Sequence, residues 1–246
     1  MSKGIVLVTG ASKGIGAATA IALAREGYKV CINYKENKVA ALQVQEKIAA
    51  LGGNSIAVKA DISQETDVVN LFQEIDDRLG EITGLVNNAA ILGHKATLRE
   101  MSAARLQNVF AINVFGTLLC CREAIKRMSI KNGGKGGSIV NISSIASRTG
   151  SPGEYVDYAA TKGAIDTFTI GLAKEVGKEN IRVNAIRPGH IQTTIHKSPE
   201  RLKTLKNTVP LQRIGMPEEI AQTILWLLSE KSSYTSGAII DVTGGK

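Results

Sequence analysis

Cysteine is scarce in this chain. Only Cys31, Cys120 and Cys121 occur among 246 residues, two of them adjacent, and three thiols so placed exclude a disulfide framework. They read as reduced, buried thiols of a cytoplasmic protein. Histidine is equally sparse: His94, His190 and His196 lack ligand spacing, so no structural metal is expected. No apolar run approaches the ~18 to 20 residues of a membrane span. The chain enters a strand almost at once, which leaves no room for a signal peptide. RNP aromatics, a Cys/His finger and a recognition helix are all missing, so the formal charge of +8 does not indicate nucleic acid. Its lysines and arginines are scattered through every helical pattern, a balance that suits solvated surface and attraction for an anionic ligand such as a polyphosphate cofactor.

A hydrophobic content of 43% and a mean hydropathy of +0.03 indicate a soluble globular chain, long enough for one α/β domain spanning 1–246. Strands are expected at Ile5–Thr9, Lys29–Tyr34, Ser55–Lys59, Gly84–Asn87, Gly137–Ile142, Arg182–Ile186 and Gly237–Asp241. Helices are expected at Gly14–Glu26, Asn37–Leu51, Glu65–Leu79, Arg105–Met128, Tyr155–Val176 and Pro217–Leu228. Such alternation predicts a parallel sheet with helices on both faces, joined by right-handed crossovers. The weakly patterned stretch from 189 to 215 reads as a mobile substrate lid with a short helix.

The first strand runs into Thr9-Gly-x-x-x-Gly-x-Gly16 and a helical pattern from Ala17. Strand, glycine turn and helix N-terminus together make a phosphate site, because backbone N–H groups can approach a pyrophosphate and the helix dipole favours its charge. A glycine loop alone occurs in many α/β domains; its setting here is what gives it weight. Far downstream, Tyr158 and Lys162 stand at i and i+4 and so share one helix face. A phenol titrates near pH ~10, and a fixed positive charge nearby favours the phenolate. Tyr155 is a second phenol nearby, but the residue four positions on is Ala159.

Taken in order, Thr9-Gly-x-x-x-Gly-x-Gly16, Asp61, Asn87-Asn88-Ala89-Ala90, Asn113, Ser143-Ser144, Tyr158-x-x-x-Lys162 and Pro188-Gly189 resemble a short-chain dehydrogenase/reductase over essentially the whole chain. Within the family, Gly150 to Tyr158 is similar to bacterial glucose-dehydrogenase-like oxidoreductases. The resemblance implies a seven-stranded Rossmann-type sheet and nicotinamide-dependent carbonyl–alcohol chemistry. It implies that Tyr158 is the general acid/base, that Lys162 lowers its pKa and binds the nicotinamide ribose, that Ser144 donates to the substrate oxygen, and that Asn113 holds a relay water. It places Gly10, Ser12, Lys13, Gly14, Ile15 and Gly16 at the pyrophosphate, Asn33, Tyr34 and Lys35 at the adenosine ribose, and Asp61 and Ile62 at the adenine. Asn88, Ala89 and Ala90 would line the ribose and the floor beneath the nicotinamide. Pro188, Gly189, Ile191 and Thr193 would contact the carboxamide and pyrophosphate. Ala90 stands where the family generally has glycine, and the Ser144–Tyr158 separation is one residue longer than in several members.

NAD sites commonly end the second strand with an acid, whereas here Asn33, Tyr34 and Lys35 precede the first acid, Glu36. A 2′-phosphate carries about −1.5 to −2 charges, and Lys13 and Lys35 would flank it, so NADP is expected over NAD. Three functions follow: an NADP-dependent oxidoreductase of a small carbonyl or alcohol, a silent dinucleotide-binding protein, and a 3-oxoacyl-carrier-protein reductase. The charge of +8 would suit the last, whereas Glu179, near the end of the catalytic helix, is an unwelcome acid for a docking acidic carrier. The mixed polar set Gly93, His94, Arg148, Glu154, Tyr155, His190 and His196 leans toward a polar substrate. No nucleic acid or membrane partner is expected, and the long helices suggest a homotetramer or homodimer.

Overall fold

The computed structural model describes residues 3–193 and 207–246. Seven parallel strands form one sheet in the order β3-β2-β1-β4-β5-β6-β7. They are β1 (Ile5–Val8), β2 (Lys29–Tyr34), β3 (Ser55–Lys59), β4 (Gly84–Asn87), β5 (Gly137–Ile142), β6 (Ile181–Pro188) and β7 (Ile239–Val242). Their register pairs Val8 with Ile32 on one side of β1 and with Val86 on the other. Successive strand residues point to opposite faces, and β1 obeys this strictly. Ile5 and Leu7 enter one apolar core with helices α3 (Glu65–Arg78), α5 (Gly116–Met128) and α7 (Val156–Val176). Val6 and Val8 enter the other, with α1 (Gly14–Arg25), α2 (Lys38–Ala50) and α8 (Pro217–Leu228). Two cores on two faces make the expected three-layer Rossmann-type architecture.

One expected helix is broken. In place of a single Arg105–Met128 helix there are α4 (Ala103–Phe110), a π-helical turn (Ala111–Phe115) and α5. The π turn takes up one residue more than a regular helical turn, a local widening that the coarse apolar spacing of the whole segment does not single out. By length and composition Ala103–Met128 would pass for a membrane-crossing segment, yet half of its apolar 18-residue window is buried inside the fold. A further short helix, α6 (Ala146–Thr149), follows β5.

Strand order reverses between β1 and β4, and ligands in such sheets bind at the carboxyl ends of the strands beside that reversal. Of the stretch expected to be a lid, the two described ends are tied together. Ile191 bridges Gly215 in parallel, and the Gln192 N–H donates to Gly215 at 2.8 Å. The rest of the lid, its short helix and His196 lie outside the described residues. All three cysteines are buried and unpaired. Burial pushes the Cys121 thiol up to about 12 and the other two higher still. They are inert packing groups.

Candidate active site

A cavity of about 780 Å³ opens along the carboxyl ends of the strands, from the glycine turn to the first turns of α7. At one end Gly10 and Gly14 adopt φ of +61° and +57°, a left-handed backbone that glycine tolerates and other residues resist. A Cβ on Gly10 would lie 2.9 Å from Ala89 Cα. Lys13 caps α1 without any side-chain hydrogen bond to the helix, so the first N–H groups of α1 have no capping side chain and can serve an anion. Gly16, expected at the pyrophosphate, does not line the cavity. Its role is close approach, since a Cβ there would sit 2.5 Å from Asn88 Nδ2. These features fit a pyrophosphate-bearing dinucleotide.

Asn88 shapes the turn from the opposite side. Its amide donates to the carbonyls of Thr9 at 2.9 Å and Gly10 at 3.1 Å, while the Thr9 hydroxyl accepts from the N–H groups of Asn88 and Ala89. Asn33 is a strut as well: its oxygen accepts from Gly10 N and its amide donates to Ala60 O. Both lie on the cavity wall, but both amide nitrogens and the Asn33 oxygen are spent on protein.

At the end of β2 the Lys35 ammonium is held by Asp61 at 2.8 Å. Burial pushes the Asp61 carboxyl up, but bonds from Lys35 and Ser63 outweigh it and leave the group below the usual carboxylate range. The same hydrogen bond raises Lys35. A lysine expected to serve a ligand phosphate is thus engaged by a carboxylate that sequence placed only beside the adenine.

At the far end stand Ser144, Tyr158 and Lys162, all on the cavity wall. Ser143 turns inward, donating to the Lys162 carbonyl at 3.2 Å, as the alternation of an extended segment requires. The Lys162 ammonium donates to Ile142 O at 2.6 Å and lies 5.5 Å from the centroid of the Tyr158 ring. Burial pushes this amine down to about 8, with Asp166 acting in the opposite sense. The expected lowering of the Tyr158 phenol by Lys162 is not what governs it here. Protein crowds the ring and raises its pKa above the ordinary phenol value, and a hydrogen bond with Ser144 pulls it part of the way back. The ammonium is aimed at a carbonyl, not at the phenol oxygen.

Asn113 does not line the cavity. It sits in the π turn, where its amide donates to Ile91 O at 2.9 Å and Thr161 Oγ at 3.1 Å, and accepts from Ile91 N at 2.8 Å. The expectation that it holds a relay water gains nothing from this geometry. Thr161 itself, inside the Tyr-x-x-x-Lys spacer, carries no signal in sequence. Glu154, Tyr155 and His190 line the cavity, whereas Gly93, His94 and Arg148 do not. Lys246 was not anticipated; it lines the cavity, and its ammonium meets the His190 ring and Thr208. Among the described residues no three His, Cys, Asp or Glu side chains are grouped to hold a metal.

Comparison with known proteins agrees with this geometry. Residues 10–246 match the family described as enoyl-(acyl carrier protein) reductase. The uncharacterized oxidoreductase YgfF of Escherichia coli K12 is 54% identical, over 98% of this chain and 99% of its own. A 3-oxoacyl-[acyl-carrier-protein] reductase of Synechocystis is 39% identical, over 98% and 96%. Among solved structures, a 7α-hydroxysteroid dehydrogenase complexed with NADH and 7-oxo glycochenodeoxycholic acid superposes with a TM-score of 0.92 at 33% identity, covering 99% of this chain and 94% of that one. The keto-reductase LugOII superposes at 0.91 and 33%, covering 99% and 98%. This chain therefore belongs to the short-chain dehydrogenase/reductase family, NAD(P)-binding oxidoreductases that act on the CH–OH or C=O groups of small molecules.

Proposed function

We propose that the protein is an NADP-dependent oxidoreductase that interconverts a small polar carbonyl compound and its alcohol, with Tyr158 as general acid/base. The observation that carries this reading is the meeting of Ser144, Tyr158 and Lys162 on one cavity wall whose opposite end is a glycine turn at a helix N-terminus. A bound nicotinamide supplies or removes the hydride, chemistry that side chains do not provide. The protein's part is to orient, to donate and to move a proton.

Ser144 donates a hydrogen bond to the substrate oxygen and stabilises the negative charge that grows there during reduction. Tyr158, held protonated by its crowded site, delivers its proton to that oxygen; in oxidation the same oxygen of Tyr158 takes the proton back. Lys162 has three donors, and its bond to Ile142 leaves others for the nicotinamide ribose. Asn113 keeps the wall in register by joining Ile91 to α7 through Thr161.

At the adenosine end, Lys13 and Lys35 would hold the 2′-phosphate, for which Lys35 would exchange its pairing with Asp61. Asp61 and Ile62 would flank the adenine, Asn88, Ala89 and Ala90 would line the ribose, and Pro188, Gly189, Ile191 and Thr193 would flank the carboxamide and pyrophosphate; all of them line the cavity. Glu154, Tyr155 and His190 give the substrate end its polar character.

A carrier-bound 3-oxoacyl substrate is the second reading, favoured by the 39% identical Synechocystis reductase. Glu179 is a weaker objection to it than sequence implied, because Lys131 pairs with it at 2.8 Å. NADPH consumption over aldehydes, ketones, sugars, and free and carrier-bound acyl thioesters separates the two, with Tyr158→Phe as control. Turnover of carrier substrates alone selects the second. Loss of turnover across the whole panel overturns both in favour of a silent nucleotide-binding protein.

A further inference from the structure

We propose that Asp166 is a positioning residue that keeps the Lys162 ammonium charged inside the fold; the inference rests on the role given above to Lys162. Lys162 and Asp166 stand at i and i+4 on α7 and share one face, and both are buried, at 3% and 7% exposure. A carboxylate inside a core is costly unless its oxygens are engaged. Arg187 on β6 engages only one of them. Its Nε and Nη2 converge on Asp166 Oδ2, each at 2.9 Å, whereas an arginine–carboxylate pair built for adhesion typically uses both oxygens in a fork. Asp166 Oδ1 is shut away from solvent with no hydrogen-bond partner in the protein.

Nor is Arg187 dedicated to Asp166. Its Nη1 also donates to Asp241 at 3.3 Å, and Asp241 in turn takes Arg148 at 2.6 Å. Signs therefore alternate from the surface inward: Arg148 on α6, Asp241 on β7, Arg187 on β6, Asp166 and Lys162 on α7. Among the described residues, Asp166 is the charged group that acts on Lys162. Arg105 of α4 is neutralised by Asp157 at 2.8 Å, the π turn offers Asn113, and β5 offers the Ile142 carbonyl and the adjoining Ser143. Among the described residues, Tyr158 is the remaining titratable neighbour and is held neutral by burial. Asp166 is thus the anion that opposes the burial of Lys162. A merely structural salt bridge would tie β6 to α7 and leave the lysine indifferent.

The sign follows. A nearby negative charge favours the ammonium, so its removal lowers the pH at which Lys162 loses its proton. The test is an NMR titration of protein labelled with ¹⁵N-lysine, with Lys162→Met for assignment, alongside the pH dependence of kcat. Asp166→Asn, which keeps an oxygen for Arg187 but not the charge, is expected to lower the Lys162 midpoint by about one pH unit. The alkaline limb of kcat is expected to follow it, while Asp166→Glu keeps both near wild type. Should Asp166→Asn fail to fold, Arg187→Gln carries the test, and it should raise the midpoint. An unmoved midpoint in Asp166→Asn, or equal shifts in the Asn and Glu variants, overturns the proposal. A moved midpoint with an unmoved kcat profile supports the hold of Asp166 on the ammonium and overturns instead the part assigned to Lys162.

Discussion

Tyr158 is governed by where it sits more than by what stands four residues away. Burial raises the phenol and Ser144 moderates it, so at neutral pH the group holds its proton, and the Ser144 hydrogen bond is what works against that hold. Tyr158→Phe removes the proton and keeps the ring; kcat should fall by about 10² to 10⁴-fold while the NADPH Kd from fluorescence titration stays within about twofold. Retained turnover sinks the assignment. Ser144→Ala should cost about 10² to 10³-fold in kcat, and in addition should raise the Tyr158 pKa, because a group that pulls it down has been removed. At the other end of the cavity, Tyr34→Asp with Lys35→Ala adds an anion and removes a cation where the 2′-phosphate would lie. The ratio of kcat/KM for NADPH over NADH should drop by at least about tenfold; an unchanged ratio removes Lys35 from cofactor choice.

Elements meet at glycines and caps. Gly116 opens α5 where a Cβ would stand 2.8 Å from the Ile62 side chain and 3.0 Å from its carbonyl. Gly116→Ala should therefore destabilise by about 1 to 3 kcal/mol through overpacking and weaken cofactor binding by displacing Ile62. A urea midpoint equal to that of wild type would count against it. The start of α8 is held by Glu219, which accepts from Met216 N at 2.8 Å and pairs with Arg213 through both oxygens at 2.7 and 2.6 Å. Bonds from Arg213 and then Met216 lower this carboxyl to about 2. A depressed folded-state pKa gives stability that is present above the unfolded value near ~4.3 and disappears as pH falls toward about 2. Because the pair is exposed to solvent, its worth is discounted to roughly 0.5 to 1 kcal/mol. Glu219→Gln should lower Tm by about 2 °C at pH 7, and the gap should close near pH 2.

At the scale of the molecule, a charge of +8 favours the more anionic of two cofactors over distance as well as in contact. Raising salt from low to physiological strength should weaken NADPH at least about threefold more than NADH. Parallel weakening would show that the basic surface does not read the 2′-phosphate. Phe115, Ile170 and Trp226 remain 61%, 40% and 39% exposed, apolar side chains that the expected homodimer or homotetramer would cover. Light scattering that returns a mass near 26.1 kDa overturns that expectation.

Architecture was legible in the sequence because its signals are local. Alternation along β1 sends Ile5 and Leu7 one way and Val6 and Val8 the other, and the glycine spacing specifies a turn before any partner is known. The same locality places Tyr158 and Lys162 on one face of one helix. What sequence could not decide are contacts between residues far apart along the chain. Only packing brings Asp61 to Lys35, spends the Asn113 amide on Ile91 and Thr161, and sets Arg187 against Asp166. Charge and desolvation act through such neighbours, so the residues proposed to react could be named from the chain, while the groups that surround them and bias their protonation were decided by the fold.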